Sequence, residues 1–303
     1  MRHLMALRYI DAVARAGSIR QAAETMAITS TALNRRILAM EQELGVPIFE
    51  RLPRGVRLTA AGEILVHHVR AQLSDMERVK SQIADLAGER RGHVAIACSQ
   101  ALLPYFLPEQ IAAYRTAHPA VTFSVQLRDR EAAEQALVDL SAELALVFEP
   151  LRLADLQVLL RIRQPVYALM TPEHPLAQRE RLRLRDCLRY PIALPTAPYG
   201  VRALLEAAVG RTSWKLEPVV ESDSFDFLRR HALTENILTF QIAIGVPAVS
   251  RAADGFVSRL VDPRDVPPGV LYLGQLRGRV LPVAAASFAQ QLVGAFTGRF
   301  DCI

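Results

Sequence analysis

Ser30, Thr31, Asn34 and Arg35 stand at spacings of one, three and four, with Arg36 beside them. On a helix those spacings gather side chains on one outward face. The set comprises two small hydroxyls, an amide and two guanidiniums, groups that form hydrogen bonds with base edges and with phosphate oxygens. Arg51 and Arg54 come a short distance later and would add phosphate or minor-groove contacts. Such residues act only if an element narrow enough for a DNA groove carries them.

The flanking residues supply that element. Ser18-Ile19-Arg20-Gln21 has the form of a capping box, in which side chains satisfy free backbone donors of a first helical turn. Ala22, Ala23 and Met26 make the inner face of a short helix, and Ala27-Ile28 a turn. Thr29 then caps a second helix, Ser30 to about Glu43, with Ala32, Leu33, Ile37 and Met40 inward. Two capped helices joined this closely form a helix-turn-helix, whose second helix can enter a major groove. Ser18, at the start of the first, joins the candidate DNA-contacting set. Many helix pairs share this pattern, so it does not decide by itself.

The next twenty residues narrow the reading. Leu44-Gly45-Val46-Pro47-Ile48-Phe49-Glu50-Arg51 ends the helix at Gly45. A hairpin is expected from Arg51 to Leu58 with its tip at Pro53-Arg54-Gly55, and Thr59-Ala60-Ala61-Gly62 starts another helix. This ordered set resembles the winged helix-turn-helix of LysR-type transcriptional regulators: Gly-Ser after the first helix, Ala-Ala in the second, Leu-Gly before Phe-Glu-Arg, and Leu-Thr-x-x-Gly. The resemblance implies binding to double-stranded promoter DNA. The chain departs from the family at Ser30 and Asn34, where Gln and Ser are usual, so the sequence it reads is not carried over.

The composition agrees with a folded, DNA-binding chain. Its 303 residues suit two or three domains, and 51% hydrophobic content suffices for buried cores. The net charge is +5. Through Leu58 there are nine basic and five acidic residues, so most of the excess lies in the first fifth. Cys98, Cys187 and Cys302 are too scattered for a disulfide framework or a zinc site, and His67-His68, His118 and His174 lack metal-ligand spacing. No metal or cofactor is expected. The longest apolar run, Ile237 to Val249, is broken by Gln241, Gly245 and Pro247, so no membrane span is expected. With no export signal apparent at Met1 to Leu7, the expected location is the cytoplasm.

Leu4, Leu7, Ile10, Val13 and Ala14 mark a first helix over Met1 to Ala16. It should pack under the pair and help close a core around Leu33, Ile37, Leu44, Ile48, Phe49 and Leu58. Thr59 to Gly88 reads as one helix roughly 45 Å long. Leu65, Val69, Gln72, Met76, Val79, Ile83 and Leu86 fall at steps of three and four along it, as in a coiled-coil seam. The family resemblance implies a linker helix that forms a homodimer, with a homotetramer as the expected assembly and RNA polymerase as a candidate further partner.

After Gly88-Glu89-Arg90-Arg91-Gly92 the pattern becomes alternating strands and helices. The expected elements are strands at 93–98, 121–127 and 144–148 with helices at 102–118 and 131–140. Then come strands at 166–170, 192–194, 216–221, 237–240, 257–260 and 270–276, helices at 184–188, 201–209 and 225–232, and a closing helix at 282–300. This α/β order predicts parallel sheets in two lobes crossed twice by the chain. Pro172-Glu173-His174-Pro175-Leu176-Ala177, Leu184-x-Asp186 and Pro191-Ile192 resemble the LysR-type effector domain, with a periplasmic-binding-protein-like fold. The expected organisation is an all-α winged helix-turn-helix domain at 1–58, the linker helix at 59–88 and an effector-binding domain at 89–303. Within the last, lobe I takes about 92–162 and 268–303, and lobe II about 163–267. Where the family commonly has Asp near Ala145, and Gly-x-Gly-Ile then Pro at 234–241, this chain differs, with Gln241 in the proline position. The effector is therefore not carried over either.

Ligands of open α/β lobes bind beyond the carboxyl ends of the strands. That rule selects Ser99, Gln100, Arg128, Thr171, Thr196, Ser222, Phe240 and Gln241. Their hydroxyls, helix-start amides and one guanidinium suit a small anion; each alone could equally be a cap or turn residue. Cys98 ends the first strand beside this crevice, either as a redox sensor or as a buried structural thiol. An enzyme with an accessory basic domain is the rival reading. No nucleophile elbow, phosphate loop, dinucleotide fingerprint or zinc-protease motif supports it. A purely architectural DNA binder would leave the two lobes unused. The expected function is a ligand-responsive, DNA-binding transcriptional regulator that is not an enzyme.

Overall fold

Three side-chain caps define the first helices. Ser18 Oγ accepts from Gln21 N at 3.5 Å, Thr29 Oγ1 from Ala32 N at 3.2 Å and Thr59 Oγ1 from Gly62 N at 3.0 Å. Each hydroxyl satisfies a first-turn donor that has no partner within the helix. The computed structural model describes residues 2–86, 90–151, 154–197, 199–247 and 255–302. It divides into two units, Met1–Gly88 and Glu89–Ile303; the expected boundary at Gly88-Glu89 itself lies outside the described residues.

The first unit contains α1 (Arg2–Ala16), α2 (Ile19–Thr25), α3 (Ser30–Leu44), β1 (Phe49–Leu52), β2 (Gly55–Leu58) and α4 (Ala60–Leu86). Ile10, Val13, Ala22, Ala23, Leu33, Ile37, Ile48 and Phe49 close its core together with Tyr9, Val66 and Val69. Leu44, expected inside, is 49% exposed. It lies in the last turn of α3, beyond Met40, the final α3 residue packed on the cluster.

The hairpin begins at Phe49, two residues before the expected start, with Leu52 opposite Gly55 and Pro53-Arg54 as the loop. The early start has a side-chain cause. Glu41 Oε1 accepts from Ile48 N at 2.8 Å and from Phe49 N at 3.0 Å, tying the strand to α3. A second tie runs from Val56 N to Gly17 O at 2.8 Å. Gly55 permits it: its φ is +115°, and a Cβ there would lie 2.3 Å from Gly17 O.

The apolar seam of α4 divides. Leu65, Val66, Val69 and Leu73 pack on the core of their own unit, whereas Val79, Ile83 and Leu86 are exposed, Leu86 by 90%. A continuous seam from Leu65 onward is therefore not available for a partner. No helix of the described residues is long and apolar enough to cross a membrane.

The second unit runs β3 (Gly92–Cys98), α5 (Phe106–Ala117), β4 (Val121–Leu127), α6 (Arg130–Val138), β5 (Leu144–Phe148), β6 (Leu156–Gln164), β7 (Val166–Met170), β8 (Arg181–Leu182), α7 (Leu184–Cys187), β9 (Ile192–Pro195), α8 (Gly200–Val209), β10 (Val220–Ser222), α9 (Phe225–Glu235), β11 (Leu238–Ile242), β12 (Val257–Val261), β13 (Gly269–Leu276) and α10 (Val283–Thr297). The expected helix from Leu102 starts at Phe106. Gln100–Leu102 winds as a 3₁₀ turn, and Pro104 lacks the N–H to continue the ladder. The strand expected from Leu216 is confined to Val220–Ser222, after Pro218. β6 and β8 are additions to the expected elements.

Neither sheet is wholly parallel. Lobe I has the order β4-β3-β5-β13-β6 and lobe II the order β10-β9-β11-β7-β12-β8. In lobe I only β13 runs against its neighbours; in lobe II only β7 does. These are the strands by which the chain enters each lobe after crossing. They start at the crevice and run away from it, whereas the other strands end there. α10 returns to lobe I, where Tyr114 Oη donates to Ala284 O at 3.1 Å.

Glu41→Ala should leave the Ile48 and Phe49 amides without their acceptor and destabilise the first unit by about 1–3 kcal/mol. Denaturant unfolding with site-resolved amide exchange measures both effects. Unchanged exchange at Ile48 and Phe49 would remove Glu41 as the anchor of the hairpin.

Candidate DNA interface and inter-lobe cleft

Most arginines of the first unit are neutralised by a carboxylate on the same unit. Arg8 pairs with Glu77 at 3.2 Å, Arg15 with Asp11 at 2.7 Å, Arg20 with Glu24 at 3.6 Å and Arg57 with Glu50 at 2.6 Å. Glu50 also raises the Arg57 pKa, first through its hydrogen bond and then through its charge. Arg35, Arg36, Arg51 and Arg54 have no carboxylate partner among the described residues. All four lie on α3 or on the hairpin and are exposed. The unit thus leaves positive charge uncompensated beside Ser30, Thr31 and Asn34.

Ser30, Thr31 and Arg35 are exposed on the outer face of α3 and Asn34 is half-buried beside them. Arg36 is turned from the others and lies over the Tyr9 ring of α1, 4.9 Å from its centroid. Arg51 reaches back from β1, where its Nη2 donates to Asn34 Oδ1 at 2.7 Å. Arg54 is at the hairpin tip. Ser18 is half-buried and its hydroxyl already serves as the α2 cap. Sequence reasoning places these residues on the right elements and misses the Arg51–Asn34 bond and the Glu41 anchor, neither of which has a local signature.

In the second unit a cavity of about 30 Å³ lies between the lobes, room for roughly two waters. Of the expected effector residues, Ser99, Arg128 and Gln241 line it, together with Arg130, Phe148, Tyr199, Gly200 and Phe225, which were not expected. The Phe148 ring packs on Gly200, where a Cβ would lie 2.3 Å from it. The helix expected from Glu131 starts one residue earlier, which makes Arg130 the first residue of α6. Its Nη1 donates to Glu149 O at 3.2 Å, while its Nε is buried without a partner. Across the cavity, α8 begins at Gly200 with no side-chain cap.

Gln100 binds lobe II directly. Its Oε1 accepts from Phe225 N at 2.9 Å, and its Nε2 donates to Tyr199 Oη at 3.1 Å and to Asp223 O. A second bond between the lobes joins Arg229 Nη2 to Tyr105 Oη, with the guanidinium 5.2 Å from the Tyr105 ring centroid.

The remaining expected residues do not line the cavity. Thr171 is at the far end of lobe II, where it donates to Asn236 Oδ1 at 2.5 Å. The rule that selected it assumes a parallel strand, and β7 is reversed. Phe240 is buried in the core, 2% exposed. Thr196 follows β9 and Ser222 ends β10; they are joined by Thr196 N to Ser222 O at 3.1 Å, while Ser222 Oγ accepts from Ser224 N at 3.1 Å. Among the described residues no group of three or more His, Cys, Asp or Glu could hold a metal ion.

Two family profiles match this chain. The LysR substrate binding domain spans residues 87–297, and the bacterial regulatory helix-turn-helix protein, lysR family, spans residues 4–63. The chain is 27% identical over 313 residues to the HTH-type transcriptional regulator CbbR of Xanthobacter flavus, covering 98% of this chain and 92% of that protein. Among solved structures, a full-length OxyR variant from Pseudomonas aeruginosa superposes with a TM-score of 0.73 at 21% identity, covering 95% of this chain and 94% of the other. CbnR complexed with its target DNA has a TM-score of 0.57 at 16% identity, with 96% and 99% covered. These structural likenesses concern the fold.

Cys98 is fully buried, and burial pushes its thiol up to about 12; Cys187, also buried, is pushed up to about 12 first by burial and then by Asp186. The thiolate is the reactive form. Burial and then Asp301 raise the Cys302 thiol as well, but it is only half-buried, so at pH 7 an alkylating reagent should modify Cys302 in the native protein, and Cys98 and Cys187 only after unfolding. Mass spectrometry of the labelled peptides reads this directly. Rapid native labelling of Cys98 would restore the redox-sensor reading.

Proposed function

The chain belongs to the LysR family of transcription regulators, and from that premise we propose which of its residues bind promoter DNA and answer a small-molecule effector. The family comprises regulators, not enzymes. The N-terminal unit is a helix-turn-helix head, and the two-lobed unit is a substrate-binding domain.

The observation that carries the DNA assignment is the clustering of carboxylate-free arginines on α3 and the hairpin. In the proposed complex α3 lies in the major groove, with Ser30, Thr31 and Asn34 toward the bases. Arg35 and Arg54 bind phosphates or the adjacent minor groove, Arg36 contributes positive charge from its place over Tyr9, and Ser18 adds a hydroxyl donor near the backbone. Two heads joined through residues 59–88 would impose a partly palindromic site. The exposed Val79, Ile83 and Leu86 support that pairing, because apolar side chains on one helix favour a second apolar surface. A homotetramer, contact with RNA polymerase and a cytoplasmic location complete the reading.

The effector site proposed is the inter-lobe cavity. Arg128, Arg130 and the uncapped start of α8 favour a small anion, with Ser99 and Gln241 as hydrogen-bonding neighbours. Anything larger than about two waters needs Phe148 to turn or the lobes to part. A ligand that binds the two lobe arrangements unequally would shift their populations and so the geometry of the DNA heads.

The test is binding of the purified full-length protein to its own upstream intergenic DNA and to scrambled DNA at several salt concentrations. The expected result is preference for the upstream sequence. Arg35→Ala and Arg54→Ala should each weaken binding and reduce the slope of log affinity against log salt by about 1. Slopes equal to that of the unaltered protein would exclude these arginines as phosphate contacts.

A further inference from the structure

On the outer face of α3, among the groups beside Arg35, Asn34 carries both a donor and an acceptor in fixed geometry. An unconstrained asparagine reads adenine, accepting from N6 and donating to N7. Here one of the two lone pairs of that acceptor is taken, and a cation stands beside the other. Arg51 Nη2 donates to Asn34 Oδ1 at 2.7 Å, and no other hydrogen bond of either side chain is formed among the described residues. Arginine has only donors, so this contact also decides which way the amide faces: the reverse orientation would set donor against donor. Oδ1 is turned to the guanidinium and Nδ2 is left free. The pair therefore offers a base edge the Asn34 N–H groups and the remaining Arg51 N–H groups, with the shared oxygen next to a positive charge.

Resting on the reading of α3 as the major-groove helix, we propose that Asn34 and Arg51 act as one donor-rich unit, its remaining lone pair shielded by the guanidinium, that selects guanine and discriminates against adenine at one position of each half-site. Guanine presents two acceptors in the major groove, O6 and N7, whereas adenine places the N6 donor where a second acceptor would be needed. Arg51 is then a specificity residue as well as a cation, because it sets the amide that reads the base. This differs from a role in holding phosphate, which would change affinity equally for every sequence.

The experiment is competition binding of the full-length protein to duplexes in which each base pair of the bound upstream site is replaced by the other three. Unaltered protein should prefer guanine over adenine by about tenfold at one position per half-site. Arg51→Ala releases Oδ1 and should move the preference at that position toward adenine, leaving other positions unchanged. Asn34→Ala should remove most of the preference there, and adding Arg51→Ala to it should leave adenine no better bound. An Arg51→Ala protein weakened equally on all bases, with its preference unmoved, would overturn the proposal while leaving the DNA-binding reading intact. Failure of the unaltered protein to distinguish upstream from scrambled DNA would overturn both.

Discussion

One carboxylate holds the first unit in its working arrangement. Glu41 accepts from two successive backbone amides, Ile48 and Phe49, where the chain leaves α3 and enters the hairpin. Bonds to an ionised acceptor are stronger than neutral ones, and two donors on one oxygen fix direction as well as distance. The Gly17–Val56 bond secures the other strand against the turn between α1 and α2. With both strands held, Arg51 comes within reach of Asn34, and Arg54 stands at the tip. The surface proposed to face DNA is therefore composite, made by a helix and a hairpin joined through an anchored turn.

Charge pairing then sorts the arginines. Exposed ion pairs add little to stability, and those of Arg8, Arg15, Arg20 and Arg57 need not be argued as stabilising. Their effect is on the field: the pairs of Arg8, Arg15 and Arg20 cancel charge away from α3 and the hairpin, that of Arg57 cancels charge within the hairpin, and the remaining charge is concentrated near Arg35, Arg36, Arg51 and Arg54. An uncompensated cluster raises the local potential and attracts a polyanion more than the same net charge spread evenly would. A modest total of +5 is compatible with a strongly basic face for this reason.

The second unit has a different logic. Strand ends from both lobes converge on one crevice, but the chain's own side chains occupy much of it: Phe148 packs on Gly200, and Gln100 takes the first amide of α9. Direct bonds between the lobes hold them together across the crevice. An effector acting here must offset those contacts, so its influence depends on the difference in its affinity for the two arrangements. Arg130 Nε, buried without a partner, and the uncapped start of α8 are polar groups that the chain itself leaves unsatisfied beside this crevice.

The amino-acid sequence by itself determined the local structure. Ser18, Thr29 and Thr59 as caps, Gly45 as the left-handed end of α3 and the hairpin tip at Pro53-Arg54 depend on residues a few positions apart, and all were legible. So was the alternation of strands and helices in the second unit. Tertiary structure decided the rest. β6 pairs with β13 across more than a hundred residues of chain, and nothing in its own sequence names that partner. Strand direction has no local signature either, which is why Thr171 was assigned to the crevice and lies at the opposite end of reversed β7. Which arginines stay unpaired, and that Arg51 takes the Asn34 carbonyl, likewise depend on side chains brought together from distant positions. Sequence spacing sets what each residue can do; only the folded arrangement of its neighbours settles which of those groups are already spent.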